Sequence, residues 1–153
     1  MKKQTIVEII CALFIALFVY AALTKLLEYD EFRIQLSQSP LLTAHARWAA
    51  WAVPTGELLI AVILGFKQLR LIGLFAALSL MAMFTSYIAV ILNFSDYIPC
   101  SCGGVLEKLG WTAHIIFNLC FLLLAVTGVV LFPQQVSKIT PLPSNLEIPN
   151  ASN

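Results

Sequence analysis

Four long apolar runs decide what this chain can become. They are Ile6–Leu23, broken only by Glu8; Trp48–Leu64, broken by Glu57; and Leu71–Leu92 and Ile115–Phe132, which carry no charge. A helix needs about 20 apolar residues to cross the ~30 Å hydrocarbon layer of a bilayer. Each run meets that length. None alternates with the period of two that a barrel strand requires. In 153 residues, four spans with short loops nearly exhaust the chain. The composition agrees: 60% of residues are hydrophobic and 11% are charged, against about 25% charged in a soluble domain. So short a chain cannot hide that much apolar surface in a water-soluble core. The net charge of +1 gives no field to steer nucleic acid or another polyanion. The expectation is an all-α membrane protein, a bundle of four transmembrane helices in contact with the lipid bilayer.

Basic residues set the orientation. Lys2, Lys3, Lys67, Arg70 and Lys138 fall on one side; Lys25, Arg33, Arg47 and Lys108 fall on the other. The second group shares its loops with Glu28, Asp30, Glu31, Asp96 and Glu107. The first group is clustered at tight helix ends. The positive-inside rule therefore puts both termini in the cytoplasm and turns residues 25–47 and 93–110 outward. Lys2 and Lys3 before an apolar run also suit a signal peptide. The run is longer than a signal core and lacks a small-x-small cleavage site, so an uncleaved first helix is expected. Within the first outer loop, Phe32, Ile34, Leu36, Leu41 and Leu42 alternate with charge. That pattern predicts a short amphipathic helix on the membrane surface, ending near Ser39-Pro40. Gly65–Arg70 reads as a tight hairpin. The organisation expected is a membrane domain over residues 1–132 and a mobile tail over 133–153, which holds Pro133, Pro141, Pro143 and Pro149.

Chemistry concentrates near the second outer loop. Cys100 and Cys102 lie in Pro99-Cys100-Ser101-Cys102-Gly103-Gly104, a turn-forming stretch. Outward thiols meet an oxidising compartment. Three uses suit a Cys-x-Cys pair. A small strained disulfide is easily reduced and suits thiol exchange; a disulfide can staple the loop; two thiolates with His114 can bind a soft metal. Cys11 and Cys120, inside apolar runs, are expected to be small buried hydrophobes. Trp111, His114 and Asn118 stand at i, i+3 and i+7, on one helix face. His114 can move protons during exchange or steady a thiolate. Glu57 sits mid-span, three residues after Pro54, and a carboxylate at that depth costs at least a few kcal/mol. Lys25 is its nearest counter-charge. With Thr85, Ser86, His114 and Asn118, these two residues outline a polar pocket beneath the dithiol loop. Cys100, Cys102, His114 and Glu57 are the candidate catalytic residues, and Lys25, Asn118 and Trp111 their supports.

Residues Ala22-Leu23-Thr24-Lys25-Leu26-Leu27, followed by Phe32 and Ser39-Pro40, resemble the DoxX-like four-helix membrane proteins, as does Pro54-Thr55-Gly56-Glu57-Leu58. Pro99–Gly104 with Trp111, His114, Phe117 and Asn118 is similar to a bacterial MauE branch. The resemblance covers about residues 5–132. Resemblance to MauE implies an inner-membrane accessory in disulfide formation or transport during maturation of methylamine dehydrogenase. The partner would be an extracytoplasmic disulfide-containing or thioredoxin-like protein. Resemblance to DoxX implies a non-enzymatic subunit or assembly factor of a quinone-linked oxidoreductase, with quinone as the implied cofactor. A small transporter is a third reading, with little room for a path in four helices.

The topology has a direct check. A membrane-impermeant thiol reagent, applied to intact cells after mild reduction, is expected to label Cys100 or Cys102. Labelling only after permeabilisation would reverse the orientation.

Overall fold

The computed structural model describes residues 2–38, 43–94 and 111–132. Five α-helices and one turn of 3-10 helix account for nearly all of them. The helices are α1 (Lys2–Leu27), α2 (Tyr29–Gln38), α3 (Ala46–Gly65), α4 (Arg70–Phe94) and α5 (Trp111–Leu131), with the 3-10 turn at Thr43–His45. No strand occurs among the described residues.

Four helical stretches, of 25, 23, 24 and 20 residues, are long and apolar enough to span a bilayer; the second runs through the 3-10 turn and α3. Only 39%, 33%, 28% and 22% of their most apolar windows is buried inside the protein. The rest of that surface, including Ile9, Leu59, Ile72, Phe75 and Leu123, is exposed. Helices apolar on all sides are stable where lipid replaces water. The chain is therefore an all-α membrane protein with four spans.

The spans form a ring in the order α1–α3–α4–α5, with each packed on its neighbours and little contact across the α1–α4 diagonal. Helix α1 supplies the largest share of the core, through Val7, Ile10, Cys11, Phe14, Phe18, Ala21 and Ala22. These positions repeat at three and four residues, so one stripe faces inward. Leu64, Leu74, Ala77, Met81 and Ala125 close the core from the other three spans. Aromatic rings tie α1 to α5: Phe14 meets Phe121 edge-on at 5.3 Å between centroids, and Phe121 stacks on Phe117 at 4.7 Å.

Gly65–Arg70 is a tight hairpin as expected, held by Phe66 N–H to Ile63 O at 3.2 Å and Leu69 N–H to Phe66 O at 3.0 Å. Just beyond it, α3 and α4 approach closely at Gly73. A Cβ there would stand 2.8 Å from Cδ2 of the fully buried Leu64. Small residues of this kind let membrane helices pack backbone to backbone.

Helix α2 follows α1 after a single residue. Asp30 and Glu31 sit in its first turn, where the helix dipole favours negative charge. Its apolar face differs from expectation. Phe32 and Leu36 are buried against Ala46 and Ala50 of α3, rather than laid on the membrane surface. The pair is spaced i, i+4, and α3 offers only small side chains opposite it, so protein contact replaces lipid contact. Ile34, on another face, is 51% exposed. The expected stop at Ser39-Pro40, with Leu41 and Leu42, lies outside the described residues, as does the tail 133–153.

Gly73→Val is expected to lower thermal stability in lipid nanodiscs by about 1–3 kcal/mol through overpacking against Leu64. Gly56→Ala, where a Cβ meets nothing within 4 Å, should be neutral or stabilising. Equal effects from both would contradict the close α3–α4 approach.

Candidate functional site

The site is built around one buried ion pair. Glu57 lies in the middle of α3 with 1% of its surface exposed, and Lys25 lies in the last turn of α1 with 5% exposed. Lys25 Nζ donates to Glu57 Oε1 at 2.7 Å. The same ammonium stands 3.4 Å from the Ala21 carbonyl. It also lies 5.9 Å from the Phe32 ring centroid and 5.8 Å from that of Phe84. Two ring faces at that range attract a cation without hydrating it. The cation thus gains a carboxylate, a carbonyl and two aromatic faces in place of water.

Local sequence explains the placement. Lys25 occupies the C-terminal turn of α1, where the helix dipole favours a cation. Pro54 has no N–H, so the Ala50 carbonyl loses its helical donor one turn before Glu57. Both Ala50 and Pro54 are buried. Such breaks in a membrane helix persist where neighbouring helices cover them, and α2 covers this one.

The pair stands in the wall of a cavity of about 380 Å³ to which all five helices contribute. His114 and Asn118 also line it, and each is 5% exposed. Their i, i+4 relation puts both on the inward face of α5. Phe18 and Phe117 line it from α1 and α5, and Phe32 and Leu36 from α2. The polar groups do not fully satisfy one another. Glu57 Oε2 and the Tyr87 hydroxyl oxygen are buried, and neither has a hydrogen-bond partner among the described residues. Orphaned buried polar atoms of this kind cost free energy.

The structure therefore brings together Lys25, Glu57, His114 and Asn118. It does not bring in Thr85 or Ser86. Thr85 donates to Met81 O at 2.7 Å and Ser86 to Ala82 O at 2.8 Å, both within α4, and neither lines the cavity. Tyr87 and Phe84 take their place from the same helix. Cys100 and Cys102 lie outside the described residues, as does the Trp111 side chain; Trp111 itself opens α5. Cys11 is buried, as expected of a small hydrophobe, but Cys120 is exposed. It sits on the outer face of α5, where its neighbour Leu119 is also exposed. At the other end of the bundle, Glu8 does not stand alone: Arg70 donates to it at 3.4 Å. The described residues hold no group of three or more His, Cys, Asp or Glu that could bind a metal.

The family described as methylamine utilisation protein MauE matches residues 3–131, which includes every described residue of the site. The chain belongs to the MauE family. No curated protein and no solved structure matches it. The MauE match runs from the start of α1 to the last residue of α5.

Replacing the ion pair separates two outcomes. Lys25→Met leaves a buried carboxylate without its cation and is expected to destabilise the protein by about 3–5 kcal/mol. The double variant Lys25→Met/Glu57→Leu should recover most of that loss. A single variant as stable as the parent, in denaturant titrations in mixed micelles, would show that the pair does not form.

Proposed function

We propose that this MauE-family protein is a membrane accessory of methylamine utilisation, and that its Cys100–Cys102 pair exchanges disulfides with an extracytoplasmic protein. The reading places the chain in a bacterial inner membrane with both termini in the cytoplasm. It takes residues 1–132 as the working domain and 133–153 as a tail. Family membership supports the process. The observation that supports the chemistry is the gathering of Lys25, Glu57, His114 and Asn118 around one cavity. Lys25 in the last turn of α1 and His114 in the first turn of α5 mark the end of the bundle where the chain leaves α4 at Phe94 and re-enters at Trp111. In sequence, the cysteine pair lies between Phe94 and Trp111.

The exchange balances as follows. A partner thiolate attacks one sulfur of the Cys100–Cys102 disulfide, and the other sulfur leaves as a thiolate and takes a proton. A second partner thiolate then resolves the mixed disulfide. The partner gains one disulfide, and Cys100 and Cys102 become two thiols. His114, an imidazole at the cavity, is the group suited to give and take those protons. On this reading Trp111, the first residue of α5, is the interfacial aromatic. The partner class is a disulfide-containing or thioredoxin-like protein, with methylamine dehydrogenase the substrate that the family name suggests.

The two thiols need an electron acceptor to be reoxidised. The DoxX resemblance implies a quinone as that acceptor. Quinone oxygens only accept hydrogen bonds and would leave Glu57 Oε2 without a donor, so the cavity between the helices does not fit the group.

Cys102→Ser leaves Cys100 able to react but not to resolve, so it is expected to accumulate a reductant-sensitive mixed disulfide on non-reducing gels. Cys100→Ser reports which sulfur attacks. Absence of trapped partner from both variants, with a fully active double variant, would replace this reading with that of a non-enzymatic subunit or assembly factor. Metal that copurifies with the parent and is lost on His114→Ala would favour a thiolate–metal site instead.

A further inference from the structure

The cavity has a mouth, and the exposure of its lining shows where. Most of the lining side chains are buried or half-buried. The exposed ones are Ala52 on α3 and Met83 on α4. These two helices are neighbours in the ring, and their outer surfaces, with Leu59, Val62, Phe75 and Val90, are apolar and exposed. The opening between them therefore faces lipid. A molecule entering by it comes from the bilayer.

Most of the cavity lining is apolar. Glu57 and Tyr87 are among the polar residues in it, and Glu57 Oε2 and the Tyr87 hydroxyl oxygen are both buried and have no hydrogen-bond partner among the described residues. In the ion pair, Glu57 is a carboxylate, which only accepts hydrogen bonds; a tyrosine hydroxyl also donates. A head that both donates and accepts satisfies the two at once. A hydroxyl does this with one atom. A ketone or ether oxygen, which only accepts, would leave Glu57 Oε2 orphaned. The volume of about 380 Å³ falls in the lower part of the ~300–1,000 Å³ range of small-molecule sites. Apolar walls with a few convergent polar groups are the usual design of such sites.

We propose that this cavity is a binding site for a bilayer-soluble alcohol or phenol, an apolar body with one hydroxyl that enters between α3 and α4 and bridges Glu57 and Tyr87. The hydroxyl donates to Glu57 Oε2 and accepts from Tyr87. The Lys25 ammonium holds the carboxylate in place from its far side through Oε1. The apolar body lies along Phe84, Met81 and Phe117. The site does not depend on Cys100 or Cys102, so it stands or falls apart from the disulfide reading.

The test uses the full chain in phosphatidylcholine nanodiscs and a diazirine-bearing octanol as photoprobe, with adducts mapped by mass spectrometry. Adducts on Met81, Met83 or Phe84 are expected to saturate. Those on lipid-facing Leu123 should grow linearly with probe. In competition, 1-octanol should displace the probe at concentrations about three- to tenfold below 2-octanone or octane, the weight of one hydrogen bond. Tyr87→Phe removes a hydroxyl that has no partner among the described residues, so its melting temperature should match the parent while probe affinity falls by a similar factor. Ala52→Trp should narrow the mouth and suppress the cavity adducts alone. The Cys100→Ser/Cys102→Ser double variant should bind as the parent does. Labelling of the cavity that never saturates, equal displacement by octane, or displacement by 2-octanone as efficient as by 1-octanol overturns the proposal. So does unchanged affinity in Tyr87→Phe.

Discussion

A carboxylate in the middle of a membrane helix must find a cation or give up its charge. The bilayer core has no water to solvate it, and the cost of leaving it alone runs to several kcal/mol. In this chain the obligation falls on Glu57, and it is met by Lys25 at 2.7 Å. The consequence reaches beyond two residues. The last turn of α1 must lie against the middle of α3, which fixes how these helices pass each other. Phe32 and Phe84 then stand near the ammonium from α2 and α4. One electrostatic requirement thus gathers four helices. α5 joins through His114 and Asn118, which close the same cavity.

Buried ion pairs add little net stability compared with well-packed apolar side chains. What this pair contributes instead is register and a polar cavity in an otherwise apolar bundle. The remainder of the molecule is built from lipid-like surfaces that any rotation of a helix would satisfy about equally well. Along the apolar lengths of the spans, shape restrains the helices. Gly73 against Leu64, Gly128 against Leu74 and Ile10, and the Phe14–Phe121–Phe117 series supply it. The Arg70–Glu8 contact at 3.4 Å marks the opposite end of α1. The helix bearing the largest share of the core is thus tied to a partner by charge at both ends.

Span number and placement were legible because twenty-residue apolar runs have one physical outcome in a bilayer. The Lys25–Glu57 pair was legible for the same reason: a chain with so few charges inside its spans offers few partners. His114 and Asn118 followed from helical spacing. What the residues did not disclose is rotation. A helix apolar on every side carries no stripe to mark its inward face. Helix α4 accordingly read as offering Thr85 and Ser86, whereas Phe84 and Tyr87 are the residues turned to the cavity and both hydroxyls fold back on their own helix. Cys120 misled for the same reason. In a membrane, exposure of a small apolar side chain costs nothing, so apolar context does not mean buried. Helix α2 was legible as a helix, but its choice of α3 over lipid rested on the small side chains of Ala46 and Ala50, a tertiary match invisible along the chain.

The bundle is organised by Lys25 and Glu57 meeting inside the membrane, and their separation can be measured there. Solid-state NMR on the protein in lipid bilayers, labelled with nitrogen-15 at the lysine ammonium and carbon-13 at the glutamate carboxyl, reads their dipolar coupling directly. Lys25→Arg and Glu57→Gln samples assign the signal to this pair. The structure predicts a coupling consistent with the 2.7 Å Nζ–Oε1 contact, lost in either variant. A spectrum with no such coupling, or one that survives both substitutions, would contradict the pair and with it the cavity built around it.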